Sequence, residues 1–394
     1  MSSHEIVLCT PLRTPIGAFN GTLRNVPATE LGAVAIRAVI ACAGLDAHHI
    51  DSVLMGNVIQ AGNRMNPARQ AAVNGGVPVS VPAMTLNRVC GSGAQAIVSA
   101  AHEILAGQAK VVLAGGMENM DLAPYLQPSA RWGARMGHAT IYDSLLHDGL
   151  NDAFSDQHSG WHTEDLVQEL EISRADQDRW AERSQQRFHV AQASGVLGDE
   201  IAPVSIQTRK GVELFDADEA NRPGTTFDAL ARLKPAFRPE GSITAGNAPG
   251  LNSGAAALIV AERGTAEALG LHPVARLAAS AVAAVEPGMF GLGPVPAVHL
   301  ALERARWTIG DIDRFEINEA FAAVPLAVAR RLSLAQDLVN PEGGAIAHGH
   351  PIGATGAVLT VRLLHAMRRG LARRGVVTLC IGGGQGIALA LERV

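Results

Sequence analysis

The chain repeats itself, and the repeat limits its fold more than any other feature. Residues 50–61 (IDSVLMGNVIQA) align with residues 312–323 (IDRFEINEAFAA), so that Asp51 matches Asp313 at an offset of 262 positions. A second pair follows at an offset of 263. Ser92-Gly93-Ala94 matches Thr355-Gly356-Ala357, His102 matches His365, and the strand-like run from Val111 to Gly115-Gly116 matches Val376 to Gly382-Gly383. Two segments at nearly one offset predict a duplicated α/β unit whose copies pack on one another.

Each copy alternates strands with helices. Ala94, Ile97, Val98, Ala101, Ile104 and Leu105 recur at helical spacing and predict one helix with a single apolar stripe just after Cys90. Ile6-Val7-Leu8 and Val376-Val377-Thr378-Leu379 are short β-branched runs, apolar at consecutive positions, as central strands buried on both faces require. Between the copies the texture changes. Trp132, Trp161 and Trp180, a long polar helix from about Arg174 to Ala193, and scattered Pro and Arg from Thr208 to Glu240 predict an insertion that carries ligand-binding loops. The expected division is 1–120 with 246–270 as the first half, 121–245 as the inserted loop domain and 271–394 as the second half.

Composition excludes several classes. Apolar residues are 47% and charged residues 18% of the 394, with 42 glycines, which is the make-up of a densely packed α/β protein. A net charge of −5 gives no general attraction for nucleic acid or an anionic membrane, so an anionic ligand must meet a local basic patch. Arg209, Lys210, Arg222, Arg232, Lys234 and Arg238 crowd the insertion, as a polyphosphate ligand needs, although solvated surface charge explains them equally well. Four cysteines (Cys9, Cys42, Cys90, Cys380) are too few for a disulfide framework, and no pair has metal-ligand spacing. The N-terminal residues show no secretory leader, no apolar run reaches the ~18 residues of a membrane helix, and Leu-Glu-Arg-Val at the end is no peroxisomal address. The expected location is the cytoplasm.

Four segments could carry chemistry. Cys90 lies in a glycine-flanked turn directly before a helix, where unpaired N–H groups and the helix dipole favour thiolate and could bind an oxyanion; a buried structural cysteine is the other reading. His350, in the rigid loop 343–356, is a candidate base, with His348 two positions away as a competitor for that role. Cys380 ends a strand before Ile381-Gly382-Gly383-Gly384; a thiol with pKa near ~8.5 can shuttle a proton if it is positioned, though a core cysteine is the plainer reading. Asn318, in Asn318-Glu319-Ala320-Phe321, could orient a water or donate to an oxyanion, or simply cap a helix.

Taken together, these segments closely resemble the thiolase family. Cys90-Gly-Ser-Gly, Asn318-Glu-Ala-Phe, Gly349-His350-Pro-Ile-Gly-Ala-Thr-Gly and Cys380-Ile-Gly-Gly-Gly look like its four active-site blocks, in order, and the likeness runs from Arg13-Thr14-Pro15 to the C-terminus. The resemblance implies an α/β fold of five αβαβα layers, built from two βαβαβαββ halves with an inserted loop domain. It also implies an acetyl-CoA C-acyltransferase, using acyl-CoA and coenzyme A as substrates and no cofactor or metal. By the same resemblance, Cys90 takes the acyl group and His350 activates it. Cys380 handles the second proton. Asn318 holds a water that forms, with His350, the oxyanion hole for the enolate, and the N–H groups of Cys90 and Gly382 form the other. Coenzyme A is expected at His158, Arg222, Phe237, Ala248, Pro249 and Leu251, and the acyl chain at Ser159, Met289, Phe290 and Phe321.

The sequence also departs from the family pattern. Ser159 stands for a methionine of the acyl pocket, Phe290 for another methionine, Pro249 for a serine that bonds coenzyme A, and His348 for an apolar residue. Residues 131–137 (RWGARMG) resemble the tetramerisation loop of biosynthetic and broad-range thiolases, so a homotetramer, a dimer of dimers, is expected. Two alternatives are a 3-oxoacyl synthase, which resembles a Cys-His-His set that Asn318 and Cys380 do not match, and a catalytically silent coenzyme A-binding protein.

Overall fold

In a computed structural model, which describes residues 5–394, the repeat becomes a pseudo-symmetric sheet. Residues 1–4, where the reading of the N-terminus begins, lie outside the described residues. The first half contributes strands β1 (Ile6–Arg13), β2 (Ser52–Gly56), β3 (Ala83–Leu86) and β4 (Val111–Asn119). After the insertion, whose hairpin is β5 (Val204–Thr208) and β6 (Gly211–Phe215), β7 (Asn252–Glu262) returns to the first half. The second half adds β8 (Pro273–Ala284), β9 (Arg314–Ile317), β10 (Arg374–Ile381) and β11 (Gln385–Arg393).

The order across the sheet is β9-β10-β11-β8-β1-β7-β4-β2-β3. Read outward from the antiparallel β1–β8 pair, β7, β4, β2 on one side answer β11, β10, β9 on the other. Both β2–β4 and β9–β10 are parallel, while β4–β7 and β10–β11 are antiparallel. The matched aspartates do matched work. Asp51 Oδ2 accepts from Lys110 N at 2.7 Å and Val111 N at 3.0 Å; Asp313 Oδ2 accepts from Arg373 N and Arg374 N, both at 2.8 Å.

Strand alternation sorts the core into layers. Leu54, Val112, Leu258, Val377 and Leu389 face a central cluster that includes α3 (Ser92–Leu105) and a helix at Thr355–Arg368. Val53, Met55, Leu113 and Ile259 face outward to α1 (Ala28–Ala43) and α2 (Pro67–Asn74). Val376, Ala388 and Ala390 face the other outer layer, which holds Val298, Leu302, Val324 and Val328. Helix, sheet, helix, sheet, helix is the resulting order, as the resemblance implies.

At the centre the repeat packs on itself. A Cβ on Gly93 would stand 2.7 Å from Ala357 N, and one on Gly356 would stand 2.4 Å from Ala94 N. Only hydrogen at these two positions lets the helices cross so closely, and their N-termini follow Cys90 and the His350 loop.

Of the insertion, α4 (Ser159–Glu169) and α5 (Arg174–Ala193) stand against the second half, the latter with the bounds that its pattern predicts. Arg13, fully buried, bonds Glu200 at 2.7 Å and Asp218 at 2.7 Å and so ties the insertion to β1. No helix among the described residues is long and apolar enough to cross a membrane.

Candidate active site

The turn between β3 and α3 is held by its own side chains. Asn87 Oδ1 accepts from Val89 N at 2.9 Å, while Ser92 Oγ accepts from Arg88 N at 2.8 Å and donates to Val89 O at 2.7 Å. These bonds keep Val89 at φ 45°, a left-handed conformation that costs a β-branched residue energy. The consequence is that Cys90 is presented, half-buried, into a cavity of about 410 Å³ shared with His350, Gly382, Phe321 and Ser159.

The backbone N–H groups of Gly382 and of Cys90 itself act on the Cys90 sulfur in favour of its charged form. They lower the pKa, as the helix-end reasoning predicts, but burial outweighs them and pushes the thiol up to about 11. Burial thus opposes the helix-end effect that favours thiolate, and the raised pKa calls for a base at the moment of attack.

His350 is placed to be that base. Its N–H donates to Asn252 Oδ1 at 2.9 Å, and its Nδ1 lies 2.7 Å from Thr355 Oγ1. Thr355 gives its one proton to Pro351 O at 2.8 Å, so its oxygen must accept from Nδ1–H. This fixes the tautomer: Nε2 carries the lone pair. Burial lowers His350 to about 4, so the ring is neutral at physiological pH. Asn318, fully buried, puts Nδ2 at 3.4 Å from Nε2, and its Oδ1 has no partner among the described protein atoms. It does not cap a helix; the next one, at Ala323–Arg331, begins five positions later with Ala322 as its cap.

Cys380 is buried at the end of β10, packed with Phe290, Phe321 and Ala388 behind the Gly382-Gly383 turn. Burial first, then the neighbouring Cys90, raise its thiol well above the ordinary value. The sequence estimate of a freely titrating thiol is thus too low, because it took no account of the second sulfur or the apolar surroundings.

Along the rest of the cavity, His158 stacks on Phe237 at 4.5 Å between centroids, Phe237 meets Phe321 edge-on at 5.8 Å, and Ala248, Pro249 and Leu251 add to the lining. Burial holds His158 near 4, and its Nδ1 caps α4 by accepting from Gly160 N at 2.9 Å. Ser159 and Phe290 also face the cavity, with Pro287 and His162, neither of which a motif signals. Met289 does not line it; it packs with Val167, Leu170 and Leu292, because the turn at 287–292 directs Phe290 inward instead. Arg222 lies on a second cavity, of about 240 Å³, that shares Ala248, Gly250 and Leu251 with the first.

The basic residues do not form one patch. Arg209 and Lys210 sit exposed at the tip of the β5–β6 hairpin, and Arg238 pairs with Asp165 at 2.8 Å while lying over Trp161. His348 is away from the cavity, its ring 5.7 Å from Phe188 and its Nδ1 2.9 Å from Gly349 O. Burial and the cations of Arg362 and Arg13 keep it neutral. Sequence reasoning missed Asn252 and Thr355, whose polar side chains carry no signal of the ring they hold.

The family models described as thiolase N-terminal domain and thiolase C-terminal domain match residues 6–264 and 271–393. An acetyl-CoA acetyltransferase of Pseudomonas aeruginosa is 52% identical over 99% of this chain and 100% of its own length. A beta-ketothiolase of Cupriavidus necator is 48% identical over 100% of both chains. The crystal structure of the Bacillus anthracis acetyl-CoA acetyltransferase superposes with a TM-score of 0.97 at 42% identity, covering 99% of each chain.

Proposed function

The chain belongs to the thiolase family, and on that premise we propose how its residues make and break the carbon–carbon bond of a 3-oxoacyl-CoA. The enzyme is an acyltransferase. Nε2 of His350 takes the proton of the Cys90 thiol as the sulfur attacks the thioester carbonyl. The carbonyl oxygen becomes an oxyanion, bound by the N–H groups of Cys90 and Gly382, and coenzyme A leaves with the proton returned by His350. Acyl-Cys90 remains.

In the second half-reaction Cys380 passes its proton to Nε2 of His350 and, as thiolate, takes one from the methyl group of a bound acetyl-CoA. The enolate oxygen is held by the Nε2–H of His350 and a water on Asn318, and its carbon attacks acyl-Cys90, releasing the thiolate of Cys90, which takes the proton back from His350. Thiolysis is the reverse. A raised thiol pKa suits Cys380, since a strong base is needed to deprotonate carbon.

The first half, 1–120 with 246–270, supplies Cys90, Ala248, Pro249 and Leu251; the second, 271–394, supplies Asn318, His350, Cys380 and Gly382. Residues 121–245 supply His158 and Phe237 for coenzyme A, with Arg222 reaching its phosphates from the second cavity. The proposed assembly is a homotetramer, which the loop at 131–137 supports: Trp132 is 83% and Met136 fully exposed, apolar side chains that a partner copy would cover. The proposed compartment is the cytoplasm.

The observation that carries the proposal is that Cys90, Gly382 and His350 line one cavity, with Nδ1 of the imidazole held by Thr355 so that Nε2 is free. Intact-mass spectrometry after brief exposure to acetyl-CoA tests it. One acetyl per chain is expected, absent from Cys90→Ala and retained in Cys380→Ala, which should lose ~10²–10⁴-fold in carbon–carbon chemistry alone. Acetylation elsewhere, or equal loss of both steps in Cys380→Ala, contradicts the assignment.

A further inference from the structure

Four N–H groups converge on the carboxylate of Glu118, which ends β4 with no solvent exposure. Oε1 accepts from Asn57 Nδ2 at 2.7 Å and Ile59 N at 3.3 Å; Oε2 accepts from Val58 N at 3.0 Å and Gly353 N at 3.1 Å. No ion pair neutralises it among the described residues. Its donors come from both halves of the molecule. Val58 and Ile59 belong to the turn after β2 and pack with Cys90, Met120 and Ile352 in one apolar cluster. Gly353 is three residues past His350. A Cβ there would stand 2.7 Å from Glu118 Oε2, so glycine is what lets the carboxylate reach this backbone N–H.

The other flank of the His350 loop ends on a second buried carboxylate. Glu319 accepts from Ile346 N at 3.0 Å, Trp180 Nε1 at 2.9 Å, Asn340 Nδ2 at 2.9 Å and Ser184 Oγ at 2.7 Å. Ser184 Oγ accepts in turn from Gly344 N at 2.9 Å. With Asn252 on the N–H of His350, the loop from 344 to 355 is fixed before, at and after its histidine.

We propose that Glu118 and Glu319 are positioning residues for His350, and that Glu118 sets the distance between the base and the Cys90 turn. The proposal rests on His350 as the base. Only a carboxylate offers two equivalent acceptor oxygens to four donors. In Glu118→Gln the amide NH₂ must face one pair of N–H groups, whichever way it turns, so either Gly353 with Val58 or Ile59 with Asn57 loses its acceptor. The loop then shifts relative to the sulfur, and a displacement of about 1 Å costs roughly 10²-fold in a proton-transfer site.

The test is the single-turnover rate of Cys90 acetylation by acetyl-CoA across pH, with steady-state thiolysis of acetoacetyl-CoA. Glu118→Gln should acetylate at least roughly tenfold more slowly and shift the acid limb of the profile by about half a unit or more. KM for coenzyme A should stay within about twofold, because the Phe237–Leu251 wall is untouched. Asn57→Ala, which removes one donor and keeps the carboxylate, should lose a few-fold in the same direction and decides the matter if the glutamine variant does not fold. A folded variant with the parent rate and acid limb overturns the proposal, and so does a parallel change in rate and KM with the acid limb unmoved. A parent enzyme that does not acetylate at all overturns the catalytic reading instead and takes this one with it.

Discussion

Thr355 Oγ1 lies 2.7 Å from Nδ1 of His350 and has already given its proton to Pro351 O, so one hydroxyl decides which nitrogen of the base is free. Thr355→Val keeps the shape of the side chain and removes the acceptor. Nδ1–H then loses its partner, and the ring can place its proton on Nε2, where it cannot accept one from Cys90. We expect Cys90 acetylation to slow by roughly 10–10²-fold, within the range of a positioned acid–base, with KM for coenzyme A unchanged and Thr355→Ser near the parent rate. Single-turnover mass spectrometry measures it; an unchanged valine variant would show that the tautomer is set elsewhere.

How much of this was legible in the sequence depends on distance along the chain. Cys90, Asn318, His350 and Cys380 each lie in a short motif, and the duplication showed because Asp51 and Asp313 perform the same bond in both halves. The supports did not show. Asn252 is 98 residues from His350, and Glu118 is 235 from Gly353, so no local pattern joins them. The pKa of Cys90 shows the same contrast between local and distant causes. A helix end is a local feature that the sequence displays, whereas burial sums the whole fold around the sulfur, and here burial wins.

Acid should destabilise the fold before most of its carboxylates titrate. Burial lowers His350 and His158 to about 4, His348 well below its ordinary value, and His365 in the same direction. A histidine whose folded pKa lies below its unfolded ~6.5 gives stability that is complete above 6.5 and is lost as pH falls toward the folded value, because only the unfolded chain takes up the proton. Between pH 6.5 and 5 His350 alone accounts for about 2 kcal/mol. Glu118 opposes this: burial raises it to about 7, so its proton uptake favours the folded state over part of the window. Four histidines outweigh it. The urea midpoint should fall from pH 7 to pH 5, less steeply in His348→Leu and more steeply in Glu118→Gln. A midpoint flat across this range would mean that these rings are not held neutral.

The acyl pocket carries the last prediction. Ser159, at the start of α4, lines the cavity together with His162 three residues on, and Phe290 presents a rigid ring to the same space. Methionine at Ser159 would fill that space. Each methylene that finds an apolar wall is worth about 1–3 kcal/mol in discrimination, so the parent should favour 3-oxoacyl chains longer than four carbons, and Ser159→Met should reverse the order. Pro249 acts differently. Proline offers neither hydroxyl nor N–H to coenzyme A, and restoring one hydrogen bond in Pro249→Ser should strengthen binding by roughly 0.5–1.5 kcal/mol, lowering KM for coenzyme A without altering chain-length order. The two effects separate because one substitution changes the bulk of the cavity lining and the other restores a hydrogen bond. Values of kcat/KM for thiolysis of four-, six- and eight-carbon 3-oxoacyl-CoAs decide it: if the four-carbon substrate is best and Ser159→Met changes nothing, the space beside Ser159 does not hold the acyl chain.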